Sequence, residues 1–320
     1  MNQSIPLTSL ATRDFNLETD FAGLTLLYQA VEDVDHNDQE FSEATLRAVE
    51  GVERWVIEDP LDPSAFIGHG WRYEQSRLRS YLYVAVHPTW RRQGLGSVLL
   101  SNGLARIQGH GTRQVVAVTR ADNATGDAFL RYNGFIPAGH NRRFSVPAGI
   151  EIPEVKWPVG YTLSRYSEVQ QLAILVEAHN RCYMDRWGHN ENTETLSAEK
   201  LLGWINEYPD YFIPEGTFIV FAPDGSLAGL SHGRLERENS QTFSEPRKIV
   251  DSPGVVPEHR HLELQRPLTI TTMRWLRQYG EGPIELDTFG EEEETVRIYD
   301  ELGFTLEDKN HTVEYVLNFS

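Results

Sequence analysis

The sequence predicts an α/β protein with a mixed α+β sheet, built as two related domains, and three observations lead there. The chain has 320 residues, more than one compact domain usually holds and enough for two that each bury a core. Between Val146 and Tyr161 the text PAGIEIPEVKWPVG places Pro147, Pro153 and Pro158 in a stretch without periodicity, which reads as a linker. On either side the same order of elements recurs: an acidic helical opening, three extended segments, a loop, a helix, a strand, a helix and a last strand or pair of strands. The expected domains are therefore residues 1–148 and 160–320, joined by 149–159.

In the first half, helices are expected at about 20–32 and 42–50, the second with Ser42 as its N-cap. Strands follow at about 53–58, 64–72 and 79–86, where WVIE, AFIGHG and YLYVAV supply β-branched and aromatic residues. The second half repeats this with a helix at about 167–181, another opening at Ser197, then GTFIVFAP, a turn at Asp224 and Gly225, and SLAGLSHGRL. Later pieces correspond as well. TTMRWLRQYG answers SVLLSNGLARIQG, PIELDTF answers RQVVAVTR, and IYDELGF answers FLRYNGF.

Composition narrows the function. The formal charge of −18 disfavours a nucleic-acid ligand, because phosphate binding needs clustered Lys and Arg. Residues 1–150 carry 14 basic and 17 acidic groups, and residues 151–320 carry 15 and 30. The acidity thus belongs to the second half, where it serves solubility or attracts a cationic substrate. No apolar run approaches the ~20 residues of a membrane span. The N-terminus lacks a signal-peptide pattern, and the single Cys182 allows no internal disulfide. A cytoplasmic protein is expected, without membrane or nucleic-acid partners, as monomer or homodimer.

The stretch with chemistry is Tyr81 to Leu100, YLYVAVHPTWRRQGLGSVLL. An apolar strand ends at Val86, and a loop with Arg91, Gly94 and Gly96 opens a helix. Glycines let a ligand approach the backbone, and the first N–H groups of the helix have no intrahelical acceptor, so a pyrophosphate suits the position. Arg91 either hydrogen-bonds a phosphate or shapes the loop. The text is neither a Walker loop, since no Gly-Lys-Ser/Thr follows, nor a dinucleotide fingerprint, since the third glycine is missing.

Val86-x-Pro88-x-x-Arg91-x-x-Gly94-x-Gly96 resembles the acetyl-CoA loop of the GNAT N-acetyltransferases. The likeness continues through the strand Val115–Thr119, Asn123 and the run Phe129-Leu130-Arg131-Tyr132-Asn133-Gly134-Phe135. It is close over residues 50–146, and looser over the whole chain as a tandem duplication of the GNAT acyl-CoA N-acyltransferase fold, like mycothiol synthase relatives. The resemblance implies that the fourth and fifth strands splay apart to admit the pantetheine arm, with a local bulge freeing backbone groups. An N–H near Tyr83 to Val86 would polarise the thioester. It further implies acyl-CoA contacts from Val84, Ala85, Val86, Arg91, Arg92, Gln93, Gly94, Leu95, Gly96, Ser97, Asn123 and Phe129, and no metal. Trp90 either neighbours the cofactor or anchors the loop.

The implied activity is transfer of acetyl from acetyl-CoA to a primary amine of a small, cationic molecule by direct attack in a ternary complex. Two proton tasks follow. The family's strand carboxylate is missing beside Ser80 and Tyr81, which leaves Glu74 or the loop acids Glu32, Asp33 and Asp35 as bases, each more readily read as a solvated surface acid. The family's tyrosine acid is replaced by Leu130. Tyr132 lies about 200° further round the helix, so Tyr81 or Tyr83 is the candidate acid, unless both are packed strand aromatics. These departures keep open a non-catalytic acyl-CoA sensor, and the acidic second half keeps open a peptide N-acetyltransferase.

In the second half Glu263 and Gln265 stand where Gly94 and Gly96 stood, and Glu292, within Glu291 to Glu294, replaces the Asn. A glutamate repels pyrophosphate and its side chain blocks backbone approach, so no acyl-CoA is expected there. Tyr299 keeps the family's tyrosine position, where a core role is expected. His259, His261 and Glu263 alternate as strand ligands for a metal would, although Arg260 interleaves them. Cys182 is expected to be a buried thiol rather than a nucleophile.

Overall fold

A computed structural model describes residues 11–35, 43–48, 51–108, 111–187, 189, 195–207, 212–236, 246–290 and 293–319. Ser42, Glu291 and Glu292 lie outside them. In chain order come β1 (Arg13–Asp14), α1 (Leu17–Asp35), α2 (Glu43–Ala48), β2 (Val52–Asp59), β3 (Asp62–Glu74), β4 (Arg79–Val86), α3 (Leu95–Ile107), β5 (Gln114–Arg120), α4 (Ala124–Tyr132) and β6 (Ile136–Val146). Then follow β7 (Thr162–Arg165), α5 (Tyr166–Val169), α6 (Leu172–Tyr183), α7 (Ala198–Glu207), β8 (Thr217–Phe221), β9 (Leu227–Glu236) and β10 (Arg247–Val255). The chain ends with α8 (Gln265–Leu276), β11 (Ile284–Phe289), α9 (Glu293–Glu301), β12 (Thr305–Leu306) and β13 (Thr312–Asn318).

Two compact units result, one of Met1–Ala138 with Thr312–Ser320, the other of Gly139–His311. In the first, the strand order is β1-β2-β3-β4-β5-β13. All neighbours are antiparallel except β4 and β5. One face buries Trp55, Ile57, Ile67 and Leu82 against Leu95, Leu99 and Leu100 of α3 and Leu130 of α4. The other buries Val56, Phe66 and Ala85 against Leu24, Leu27 and Val31 of α1, apolar positions at helical spacing. The Asn16 side chain caps α1 by accepting from the Glu18 N–H at 3.0 Å.

The second unit has the order β7-β8-β9-β10-β11-β6, with β12 on β6. Ser197 caps α7, its hydroxyl accepting from the Lys200 N–H at 3.2 Å. Asp224 and Gly225 form the expected turn, Gly225 with φ 82. The two FLRYNGF-like runs also end alike. Gly134 and Gly303 have φ of 84 and 87, and the N–H groups of Phe135 and Phe304 bond the carbonyls of Leu130 and Tyr299 at 3.0 and 3.1 Å. Tyr299 is fully buried beside Phe144 and Phe304. Burial pushes the Cys182 thiol up to about 12, which keeps it an unreactive thiol. Much of the acidity here meets arginine: Arg143 and Arg234 both reach Asp287 at 2.7 Å, and Arg247 reaches Glu236 at 2.8 Å.

The cut at the proline-rich linker does not divide the compact units. The last strand of the chain, β13, pairs β5 from Thr312↔Arg120 to Asn318↔Gln114. Meanwhile β6 pairs β11 of the second unit from Ile284↔Val146 to Phe289↔Asn141. Each unit is completed by the strand that the other half of the duplication would have supplied. The expected bulge is not in β4, which pairs β3 in unbroken register from Gly68↔Val86 to Glu74↔Ser80; the register shifts instead between β2 and β3 at Ile57 to Asp59, between β8 and β9 at Val220 and Phe221, and between β10 and β9 at Asp251 and Gly254.

β13 buries Val313, Tyr315 and Val316 in the first unit. At about 1.5–3 kcal/mol per side chain, their loss rivals the whole stability of a domain. Deleting residues 312–320 is therefore expected to unfold the first unit selectively. Limited proteolysis should then cleave within 51–135 while a fragment near 139–311 persists; a protected first half would contradict the strand assignment.

Candidate active site

The parallel ladder between β4 and β5 lasts only three pairs, Arg79↔Gln114, Ser80↔Val115 and Tyr81↔Val116. The Leu78 carbonyl accepts from the Gln114 N–H on that side at 3.0 Å. By strand alternation, the backbone groups of Leu82, Val84 and Val86 also face β5, but past Tyr81 the strands part. The parting opens a cavity of 840 Å³ lined by both strands, the loop after β4, the first turn of α3, and α4.

The loop begins with a 3-10 turn, Pro88–Trp90. Arg91 Nε donates to the Val86 carbonyl at 3.1 Å, and its two terminal nitrogens donate to both oxygens of Asp35 at 2.8 Å. Of the two roles open to Arg91, the geometry is that of the loop shaper: its fork ties the end of β4 to the end of α1. Arg92 (φ 63) and Gly94 (φ 87) take left-handed conformations, which a glycine adopts without strain. Gly94 also begins α3 without a side-chain cap, so the first N–H groups of the helix are open to an anion. A Cβ on Gly96 would stand 3.0 Å from the Phe129 ring, so this glycine lets α3 and α4 close on each other.

Of the expected cofactor residues, Val84, Ala85, Val86, Arg91, Arg92, Gly94, Leu95, Gly96, Ser97, Asn123 and Phe129 line the cavity. Gln93 is exposed and outside the lining. Asn123 caps α4, its Oδ1 accepting from the Gly126 N–H at 2.9 Å, which leaves its Nδ2 donors for a ligand. Trp90 lies in the lining, as does Leu130 at the family's tyrosine position. Tyr132 reaches only the rim, at 85% exposure.

The candidate catalytic residues separate. Tyr81 and Tyr83 line the cavity; Glu74 does not. The β3–β4 register puts Glu74 opposite Ser80, six residues from the Gly68↔Val86 pair beside the loop, or about 20 Å away. Glu32 and Asp33 are also outside the lining, and Asp35 is in it but held by Arg91. Tyr83 stacks between Trp71 (5.7 Å) and Tyr28 (6.5 Å), and Tyr28 bonds His69 Nδ1 at 3.0 Å. Burial, with the charge of Asp35 adding, pushes the Tyr83 phenol up to about 12. Burial also pushes His69 down to about 3, so the ring under this aromatic layer is neutral.

Sequence reasoning missed a contribution from the far end of the chain. Thr312 of β13 lines the cavity, and the Tyr81 hydroxyl donates to Glu314 Oε1 at 3.2 Å. Glu314 is 3% exposed. Its only sequence signal was an acid within an alternating terminal strand.

The second unit repeats the brace and fills the cradle. Arg260 Nε donates to the Val255 carbonyl at 3.1 Å, and its terminal nitrogens reach both oxygens of Asp185 at 2.7 Å. Glu263 (φ 50) keeps the left-handed conformation of Gly94 and contacts Arg297 at 3.2 Å; Arg266 and Arg297 both bind Glu301. Gln265 is buried at the position of Gly96. The His259, His261 and Glu263 alternation is not a strand: the histidines sit in a 3-10 turn, and His259 Nδ1 lies 2.9 Å from the Tyr161 hydroxyl. Among the described residues no group of three metal-ligating side chains converges, and no helix is long and apolar enough to cross a membrane.

The acetyltransferase (GNAT) family profile matches residues 21–135. A mycothiol acetyltransferase of Nocardiopsis dassonvillei is 31% identical over 242 residues, covering 70% of this chain and 71% of the relative. Among solved structures, a GCN5-related N-acetyltransferase from Sphaerobacter thermophilus superposes with a TM-score of 0.70 at 18% identity, over 97% of this chain and 95% of its own. A tandem GNAT protein from the clavulanic acid biosynthesis pathway gives 0.57 at 15% identity, over 97% and 98%. The last two likenesses support the tandem fold.

If Arg91 works by holding the loop, Asp35→Asn should weaken acetyl-CoA binding about ten-fold, since bonds between charged groups contribute ~1.5–3 kcal/mol. Calorimetric titration measures this. Unchanged or tighter binding would make Arg91 a phosphate ligand that Asp35 merely restrains.

Proposed function

Because this chain belongs to the GNAT acetyltransferase family, we propose that its first unit transfers the acetyl group of acetyl-CoA to the primary amine of a small molecule, by direct attack in a ternary complex. The observation that carries the reading is the parting of β4 and β5 beside a glycine loop at a helix start. The cavity there, 840 Å³, is within the ~300–1,000 Å³ of small-molecule sites.

The residues present fit acetyl-CoA. The first-turn N–H groups of α3, with Arg92 beside them, suit its pyrophosphate. The freed backbone groups of β4 and the Asn123 amide suit the amide-bearing arm, which takes the place of a neighbouring strand. Acetyl-CoA supplies the activated acyl group when bound. The Val84 N–H is then the donor toward the thioester oxygen, and its fixed position is what makes such a donor effective. Tyr83 is the proton donor to the departing thiolate, because a phenol pushed up to about 12 remains protonated at neutral pH.

The acceptor is read as a small molecule because the 31% identical relative is named a mycothiol acetyltransferase. The second unit serves as a partner fold without acyl-CoA, since its cradle holds Glu263 and Gln265 bound up with its own arginines and core.

Calorimetric titration with acetyl-CoA should give one site per chain. Gly94→Glu should abolish it while the melting temperature falls only by about 2–8 °C, the cost of one left-handed non-glycine residue. Two sites, or binding that survives Gly94→Glu and changes with Glu263→Gly, would move acyl-CoA to the second unit. Release of CoA thiol across a panel of small amines tests the transfer itself.

A further inference from the structure

We infer that Glu314, on the last strand, is the group that takes the proton from the acceptor ammonium, and that it does so through Tyr81. The inference rests on the acetyl-transfer reading above. That reading needs a base, since a protonated amine has no lone pair for attack. Among the described residues the cavity lining has one carboxylate, Asp35, and both of its oxygens are held by Arg91 at 2.8 Å.

Tyr81 is placed to bridge the gap. It lines the cavity, and its hydroxyl proton points to Glu314 Oε1 at 3.2 Å. Glu314 sits opposite Val118 of β5, is buried, and is outside the cavity lining, so its route to the cavity runs through the phenol. A buried carboxylate is costly unless answered. The charge facing it is Arg79, which is fully buried and whose Nε donates to Gln114 Oε1 at 2.8 Å. Gln114 in turn donates to Asn318 Oδ1 at 3.1 Å. The groups facing Tyr81 are thus Arg79 on its own strand, Glu314 on β13 and Tyr73 opposite it on β3.

Burial first, and Glu314 second, raise the Tyr81 phenol above its ordinary value, so it is no base by itself. It is suited to pass a proton on. An ammonium N–H bond breaks as a new O–H bond forms on the Tyr81 oxygen, while the original Tyr81 proton moves to Glu314 Oε1. The resulting neutral amine forms the C–N bond to the acetyl carbon as the C–S bond breaks. The thiolate takes a proton from Tyr83, which regains one from the amide nitrogen. After product release Glu314 returns its proton through Tyr81 to solvent. The sum is ammonium and thioester to amide, thiol and one proton.

The test compares wild type with Glu314→Gln, Tyr81→Phe and the double variant, using thiol release with an amine that the wild type accepts, and acetyl-CoA titration alongside. Each single variant should lower kcat about 10²–10⁴-fold, erase the acidic limb of the kcat/KM pH profile and leave acetyl-CoA affinity unchanged. The double variant should be no slower than the singles. Glu314→Gln with wild-type kcat and acidic limb overturns the inference and leaves the acetyl-transfer reading standing. A wild type that binds no acetyl-CoA overturns that reading, and this inference with it.

Discussion

A sheet interior does not tolerate two neighbouring strands whose backbone groups face each other unpaired, and that constraint organises the first unit. After Tyr81, β4 leaves β5, and the backbone groups of Leu82 and Val84 turn to the opened gap with the Val86 N–H, the Val86 carbonyl being taken by Arg91. Buried N–H and C=O groups without partners cost as much as lost hydrogen bonds. Such a gap persists only where water or an amide-bearing ligand completes it. The neighbouring strands hold it open: β3 pairs β4 in full register, and β13 pairs β5 along its whole length.

The same constraint explains the braces. A strand that ends unsupported at Val86 would be free to close on β5. Arg91 fixes that end through the Val86 carbonyl and Asp35, and Arg260 repeats the arrangement with Val255 and Asp185. The duplicated units thus share a scaffold and differ in what occupies it. Gly94 and Gly96 leave backbone donors accessible in one; Glu263 and Gln265 supply side chains in the other, and arginines neutralise the acid. The left-handed backbone at Glu263 keeps the loop shape that Gly94 has in the first unit.

The local elements were legible from sequence because periodicity and turn chemistry act locally. The strand at 79–86, the helix opening at Ser197 and the turn at Gly225 all follow from residues near one another. The cofactor cradle was legible for the same reason, since strand end, glycines and helix start are contiguous. What could not be read depended on long-range choice. β6 and β13 are equivalent strands of a duplication, so either could complete either sheet, and no local pattern says which. Glu314 went unseen with that choice, and Glu74 stood among the candidate bases because sequence proximity to β4 hides a register that carries it to the far end of the ladder. The two roles of Arg91, phosphate contact or loop shaper, stayed open in the sequence because its partner, Asp35, is distant in it.

In the proposed reading acyl-CoA completes the parted strands of the first unit. Hydrogen exchange measured with and without acetyl-CoA tests it most directly, because it reads the backbone groups themselves. Exchange should slow at residues 82–86 and 94–98, with 263–267 unchanged. Protection confined to 263–267, or none at 82–86 under saturating acetyl-CoA, would contradict it.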